Sequence, residues 1–241
     1  MPDIQNPTPY PGLRIGALKT DGEVYVKEGR LDATWVLQID NTQAIALADN
    51  RIGALKTDGK VYVKGDGLDA TWVFQIDNTQ AIALAGFRIG ALKTDGNFYV
   101  KEGGLDATWG LQIDNTQAIA LSDTRMGALK TDGNFYVKEG RLDATWGLQI
   151  DNIQAIALTG FRIGALKTDG KFYVKEGRLD ATWGLQIDNI QAIALAGDRI
   201  GALKTDGKFY VKEGGLDATW GLQIDNTRAI ALALPAPSAN V

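Results

Sequence analysis

The sequence predicts an all-β protein, a six-bladed β-propeller, and three observations carry that reading. A 37-residue unit recurs six times, each unit holds four apolar segments of strand length, and no sustained 3.6-residue apolar pattern with caps occurs. The signature Arg-Ile-Gly-Ala-Leu-Lys-Thr-Asp-Gly starts at Arg14, Arg51, Arg88, Arg162 and Arg199, and the copy at Arg125 carries Met126 in place of isoleucine. Copies starting at Arg125 and Arg162 differ at four positions only: Met126/Ile163, Asn134/Lys171, Thr159/Ala196 and Phe161/Asp198. Near-identity of that degree points to recent amplification or to design.

Taken in order through the third copy, the first segment is Gln-Ala-Ile-Ala-Leu-Ala at 80–85. Its small alternating side chains suit the crowded centre of a ring, so it is the expected innermost strand. Arg-Ile-Gly-Ala-Leu-Lys follows at 88–93, and Thr94-Asp95-Gly96-Asn97 then supplies a tight hairpin, since Asp-Gly readily adopts positive backbone angles. The third segment is Phe-Tyr-Val-Lys at 98–101. A longer glycine-bearing loop, 102–107, leads to Thr-Trp-Gly-Leu-Gln-Ile at 108–113, which belongs at the wider rim. Asp114-Asn115-Thr116 turns into the next unit. Antiparallel four-stranded units repeated radially protect their edges, whereas a linear solenoid needs polar terminal repeats that are missing here.

The phase of the repeat predicts how the ring closes. The first copy begins at a second strand, and the last innermost segment, Ala229-Ile230-Ala231-Leu232, ends the array. The C-terminal strand is therefore expected to complete blade 1. The propeller spans 14–234 on this reading, with disordered Pro-containing tails at 1–13 and 235–241, and the ring is expected to be monomeric.

The chain has 241 residues, no Cys, no His and a net charge of -4. Thiol nucleophiles, Cys/His zinc sites, His bases and Ser-His-Asp triads are excluded. Serine occurs only at Ser122 and Ser238, neither within a Gly-x-Ser-x-Gly turn. Lys and Arg are outnumbered by Asp and Glu, 25 to 29, which argues against nucleic acid, and no apolar run approaches a membrane span. The Asp-x-Asp-x-Asp-Gly spacing of a calcium loop is absent, so no metal or other cofactor is expected. Glycoside hydrolysis needs two differently tuned carboxylates, and a six-fold repeat offers every carboxylate one environment. The expectation is binding without catalysis.

Gln80-Ala81-Ile82-Ala83, Asp95-Gly96-Asn97-Phe98-Tyr99 and Trp109-Gly110-Leu111-Gln112-Ile113 recur in that order around the ring. This order resembles the tectonin-type repeat of tachylectin-2-like lectins, and also the propeller tails of secreted actinobacterial enzymes. The chain departs from the tectonin pattern in its second strand, Ile-Gly-Ala-Leu, where those repeats usually carry a Trp or another large residue. The resemblance implies a multivalent carbohydrate-binding protein acting outside the cell on surface glycans or polysaccharides. The alternative is a structural or protein-interaction scaffold, engineered or recently amplified, with no small-molecule ligand.

For the lectin reading the candidate stacking residues are Trp35, Trp72, Trp109, Trp146, Trp183 and Trp220. The candidate hydroxyl acceptors are Asp32, Asp69, Asp106, Asp143, Asp180 and Asp217, three residues before each Trp. Each set has a plainer reading: indoles packed between blades, and Asx-turns that bond their own backbone. Single shallow sites of this kind bind at about millimolar to micromolar, so retention needs several at once. Arg14 and its equivalents are expected to pair with a repeated Asp. Positions that vary between units, Gly86-Phe87 and Gly160-Phe161 among them, are not expected to contribute to a repeat-encoded site. The second unit, with Gly65-Asp66-Gly67 where the others read Glu-Gly-Arg or Glu-Gly-Gly, is expected to be the most divergent in its third-to-fourth strand connection, and its site to be weaker or empty if that loop contacts ligand.

Overall fold

The computed structural model describes residues 14–28, 33–48, 50–65 and 67–227. These form 23 strands and no helix, arranged as five four-stranded antiparallel sheets and one three-stranded sheet. The protein is a β-propeller with six blades. The third blade is representative: β8 (Thr79–Ala85), β9 (Arg88–Lys93), β10 (Phe98–Glu102) and β11 (Gly110–Ile113), paired in that order. The first blade contributes β1 (Arg14–Leu18), β2 (Val24–Glu28) and β3 (Val36–Ile39). The segment 228–234, expected to close the ring, lies outside the described residues, as do 1–13 and 235–241.

Local chemistry sets the strand ends. At the hairpin, Gly96 alone takes the positive angle, φ 83°, while the Asp95 carboxylate accepts the Asn97 N–H at 3.0 Å. Between blades the equivalent role falls to asparagine: Asn115 sits at φ 49°, and the same position is left-handed in all six units. The outermost strand begins at Gly110, so Thr108 and Trp109 belong to the preceding loop and not to a strand over 108–113. The Trp109 indole is bonded instead to the neighbouring blade.

Packing between blades follows the alternation of side chains across each sheet. Leu129, Phe135 and Val137 of the fourth blade face Ile153, Ile163 and Ala165 of the fifth, all buried, with Ile156, Leu158 and Trp183 closing the margin. The same set recurs between the fifth and sixth blades, and between the third and fourth it recurs with Met126 in place of the second-strand isoleucine and a threonine, Thr116, where the fifth blade has Ile153. Burying each such phenylalanine or aliphatic side chain is worth about 1.5–3 kcal/mol, an upper estimate since unfolded chains already bury some of that surface. Gly90 of the second strand shows why that strand is small. A Cβ there would lie 3.0 Å from Leu121 Cδ1 and 3.1 Å from Phe98 Cε2, so a large residue would separate the blades. At the two ends of the array the equivalent faces are more open, with Trp35 42% and Ile224 59% exposed.

Candidate functional site

The strand order sends two kinds of connection to each rim. One rim holds the Asp-Gly hairpins and the Asp-Asn turns, tied by bonds such as Thr94 N–H to Asn78 O at 2.8 Å. Its charges are matched locally: Lys56 meets Asp40 at 3.0 Å, Lys130 meets Asp114 at 3.1 Å, and Lys171 meets Asp169 at 2.7 Å. Hydrogen bonds from these lysines hold Asp40, Asp114 and Asp169 below the ordinary carboxylate value. This rim is exposed turn chemistry, worth little to stability pair by pair.

The opposite rim carries the loop after each innermost strand and the Leu-Asp-Ala-Thr-Trp loop, joined by bonds such as Gly103 N–H to Phe87 O at 3.0 Å. Here the tryptophans act across the seams. Trp72 Nε1 donates to Gln38 O at 2.9 Å, Trp109 to Gln75 O at 3.0 Å, Trp146 to Gln112 O at 2.9 Å, Trp183 to Gln149 O at 3.1 Å and Trp220 to Gln186 O at 3.2 Å. A lysine covers one face of each ring: Lys101 Nζ is 5.2 Å from the Trp109 centroid and Lys175 Nζ 4.9 Å from that of Trp183. Lys101 Nζ also donates to Leu105 O at 2.5 Å. Burial, then the charge of an arginine from the previous blade, push Lys101, Lys138 and Lys175 below the ordinary lysine value.

The aspartates behave differently. Asp69, Asp106, Asp143, Asp180 and Asp217 stand exposed or nearly so on the same loops. Asp180 meets Arg178 at 3.2 Å and Asp143 meets Arg141 at 3.5 Å, all four side chains largely in solvent. Asp32 lies outside the described residues. Among the described residues no cluster of three or more acidic side chains gathers as a metal site.

The repeated arginines pair with glutamate and not with aspartate. Arg88 stands opposite Glu102 across the hairpin and meets it at 3.3 Å, as Arg14 meets Glu28, and Arg162 meets Glu176 at 2.5 Å. Strand register decides this, because the hairpin places the last residue of the third strand beside the first of the second. The guanidiniums of Arg51, Arg88, Arg125 and Arg162 also reach the next blade, Arg88 bonding Gly140 O and Arg125 bonding Gly177 O.

Two departures from the repeat stand on this rim. Gly65 takes the glutamate's place opposite Arg51. Phe87 and Phe161 project from loops where other units have Asn50, Thr124 and Asp198, and they are 65% and 61% exposed. Between the second and third blades the rim opens into a groove of about 660 Å³, bordered by Asn50, Arg51, Gly65, Thr71, Phe87 and Leu105. The sequence shows these phenylalanines as apolar residues in an otherwise polar loop. That signal points away from repeat-encoded chemistry and toward something confined to two blades.

No protein-family model matches the chain, and no curated protein matches it. Solved β-propellers share its fold. Prp20p of Saccharomyces cerevisiae, described with its binding to Gsp1p and histones, superposes with a TM-score of 0.67 at 15% identity, over 83% of this chain and 69% of Prp20p. Human WBSCR16 gives 0.71 at 10% identity over 92% of this chain and 81% of its own. YCF48 from Cyanidioschyzon merolae gives 0.59 at 13% identity over 86% and 83%.

Proposed function

We propose that this protein is a non-catalytic propeller scaffold that docks a protein partner on its loop rim, with Phe87 and Phe161 as apolar anchors. The carrying observation is the exposure of these two rings on the loop rim, while Phe98, Phe135 and Phe172 are fully buried, Phe209 is part-buried and Phe74, 50% exposed, lies on an outermost strand and not on that rim. Exposed aromatics above a rigid frame are the residues on which protein interfaces concentrate their energy. The fold is used this way elsewhere: Prp20p binds Gsp1p and histones, and YCF48 has been seen with a D1 peptide. Catalysis has no support in the repeated carboxylates, since exposed aspartates in near-identical loops supply no differently tuned pair.

The second reading is the tectonin-like one, multivalent sugar binding by the Trp and Asp sets. One observation favours it: the indoles are only part-buried and share their loops with exposed aspartates. Phage-displayed random peptides and a glycan array, each probed with the wild-type chain, Phe87→Thr/Phe161→Thr and Trp109→Phe/Trp146→Phe, separate the two. Thr124 already holds the tested position in the fourth unit, so the first variant folds. The scaffold reading expects selected peptides that release the phenylalanine variant and still bind the tryptophan one. Glycan retention lost in a tryptophan variant that keeps the wild-type circular dichroism spectrum, with no peptide selected, overturns it in favour of sugar binding.

A further inference from the structure

The fourth and fifth units differ from the second, third and sixth at one position of the loop rim. Arg141 and Arg178 stand where those units have Gly67, Gly104 and Gly215, and the first unit's Arg30 lies outside the described residues. Both side chains reach into solvent, 90% and 88% exposed, and each meets the aspartate two residues on, Arg141 to Asp143 at 3.5 Å and Arg178 to Asp180 at 3.2 Å. Exposed pairs of this kind add little to stability. The packing of the blades therefore gives no reason for these two cations.

The backbone carries both arginines to Phe161. Gly177, the residue before Arg178, donates its N–H to Phe161 O at 2.9 Å, and a Cβ built on it would lie 3.8 Å from Phe161 Cε2. On the other side of the seam Gly140, the residue before Arg141, donates its N–H to Thr124 O at 2.8 Å. Thr124 Oγ1 in turn donates to Gly160 O at 3.4 Å, next to Phe161. One arginine-bearing loop from each blade is thus tied to the seam where this ring projects. Phe87 is placed in the same way by Gly103, but the residues equivalent to the two arginines are there Gly67 and Gly104.

We propose that the rim over the seam of the fourth and fifth blades docks an acidic segment of the partner, one that sets an apolar side chain on Phe161 between Asp or Glu residues that take Arg141 and Arg178. The proposal rests on the loop-rim reading above and adds the partner's chemistry. Asp143 and Asp180 do not stand in its way, because each engages its guanidinium through Nε. The fork of Nη1 and Nη2 is left to a second carboxylate, which it can hold by two parallel charge-assisted bonds. Glu139 and Glu176, the nearby carboxylates at the strand ends, are engaged by the buried Arg125 and Arg162. The chain as a whole carries a net charge of -4, so an acidic partner is disfavoured over most of its surface and admitted where exposed arginines stand beside an apolar anchor. Arginine with an aromatic ring is also the composition on which interfaces concentrate their energy.

The test uses the full chain and fluorescein-labelled heptapeptide pools with a central Phe or Leu bordered on both sides by Glu, Gln or Lys, read by fluorescence anisotropy. The Glu pool should bind at least tenfold more tightly than the Gln and Lys pools. Arg141→Gln/Arg178→Gln, which removes the charges and keeps the backbone, should bring the Glu pool down to the affinity of the Gln pool with an unchanged melting temperature. Absence of binding by the Glu pool, equal binding of the three pools, or a Glu preference that survives in the arginine variant overturns the proposal. If the pools bind without regard to charge and are released by Phe161→Thr, the acidic assignment falls and the scaffold reading stands. Pools that bind wild type and Phe87→Thr/Phe161→Thr alike, whatever their charge, overturn both.

Discussion

Replacing Trp109 by Phe tests whether the indoles hold the blades together. The substitution removes the Nε1–H that Gln75 O accepts at 3.0 Å, on a buried residue of the preceding blade. Leaving such an acceptor unsatisfied costs about 1–3 kcal/mol. The smaller ring also vacates roughly 40 Å³ beside Leu55, Val61 and Ile89, worth about 1 kcal/mol at the usual cavity coefficient. Phenylalanine keeps an aromatic face for Lys101, so the cation contact is weakened and not lost. Together the loss is about 2–4 kcal/mol, which for a chain of this size lowers the melting temperature by roughly 4–15 °C. Urea unfolding followed by circular dichroism, with calorimetry alongside, measures both quantities. Trp35→Phe is the control: that ring is 42% exposed, and its loss should be less than half as large. A change below about 0.5 kcal/mol at Trp109, smaller than one ordinary hydrogen bond, would show that the seam bond contributes nothing and that the indole is free for another role.

Asn115→Ala should destabilise by about 1 kcal/mol, because alanine resists the left-handed φ of 49°, while Asn115→Gly should be nearly neutral; chemical denaturation separates the two. Gly127→Ala should cost about 1–3 kcal/mol, since its Cβ would sit 2.9 Å from Leu158 Cδ1 and 3.0 Å from Phe135 Cε2, whereas Gly65→Ala should leave the melting temperature unchanged. Burial and a neighbouring arginine hold Lys101, Lys138 and Lys175 below the ordinary value of 10.5, so just under that pH the unfolded chain binds more protons than the folded one. Stability should therefore rise as pH climbs through that window, and the rise in the urea midpoint should flatten when the three lysines are replaced by methionine.

Much of the fold was legible because its signals are local. The period of the Arg-Ile-Gly-Ala-Leu-Lys-Thr-Asp-Gly signature counts the blades. Asp95-Gly96 and Asn115 end strands through backbone angles that only a few residue types tolerate, so these turns can be read without knowing what surrounds them. The alternation in Phe98-Tyr99-Val100 assigns Phe98 and Val100 to a buried face for the same reason.

The candidate site was less legible, because its chemistry depends on what faces each residue. A Trp before a strand suits a sugar platform and a blade seam equally well. The choice turns on Gln75, 34 residues earlier in the chain, whose carbonyl the indole reaches only once two blades are side by side. Arg88 was expected to find an aspartate and finds Glu102, because antiparallel register and not sequence proximity brings that side chain opposite. Gly65 was visible as a departure and Phe87 as a variable loop residue, in different units. By itself the sequence determined the repeat, the turns and the blade count, all set by short-range backbone and side-chain preferences. Only the tertiary structure set Gly65, Arg51 and Phe87 around one groove, because that juxtaposition depends on the stacking of one sheet against the next.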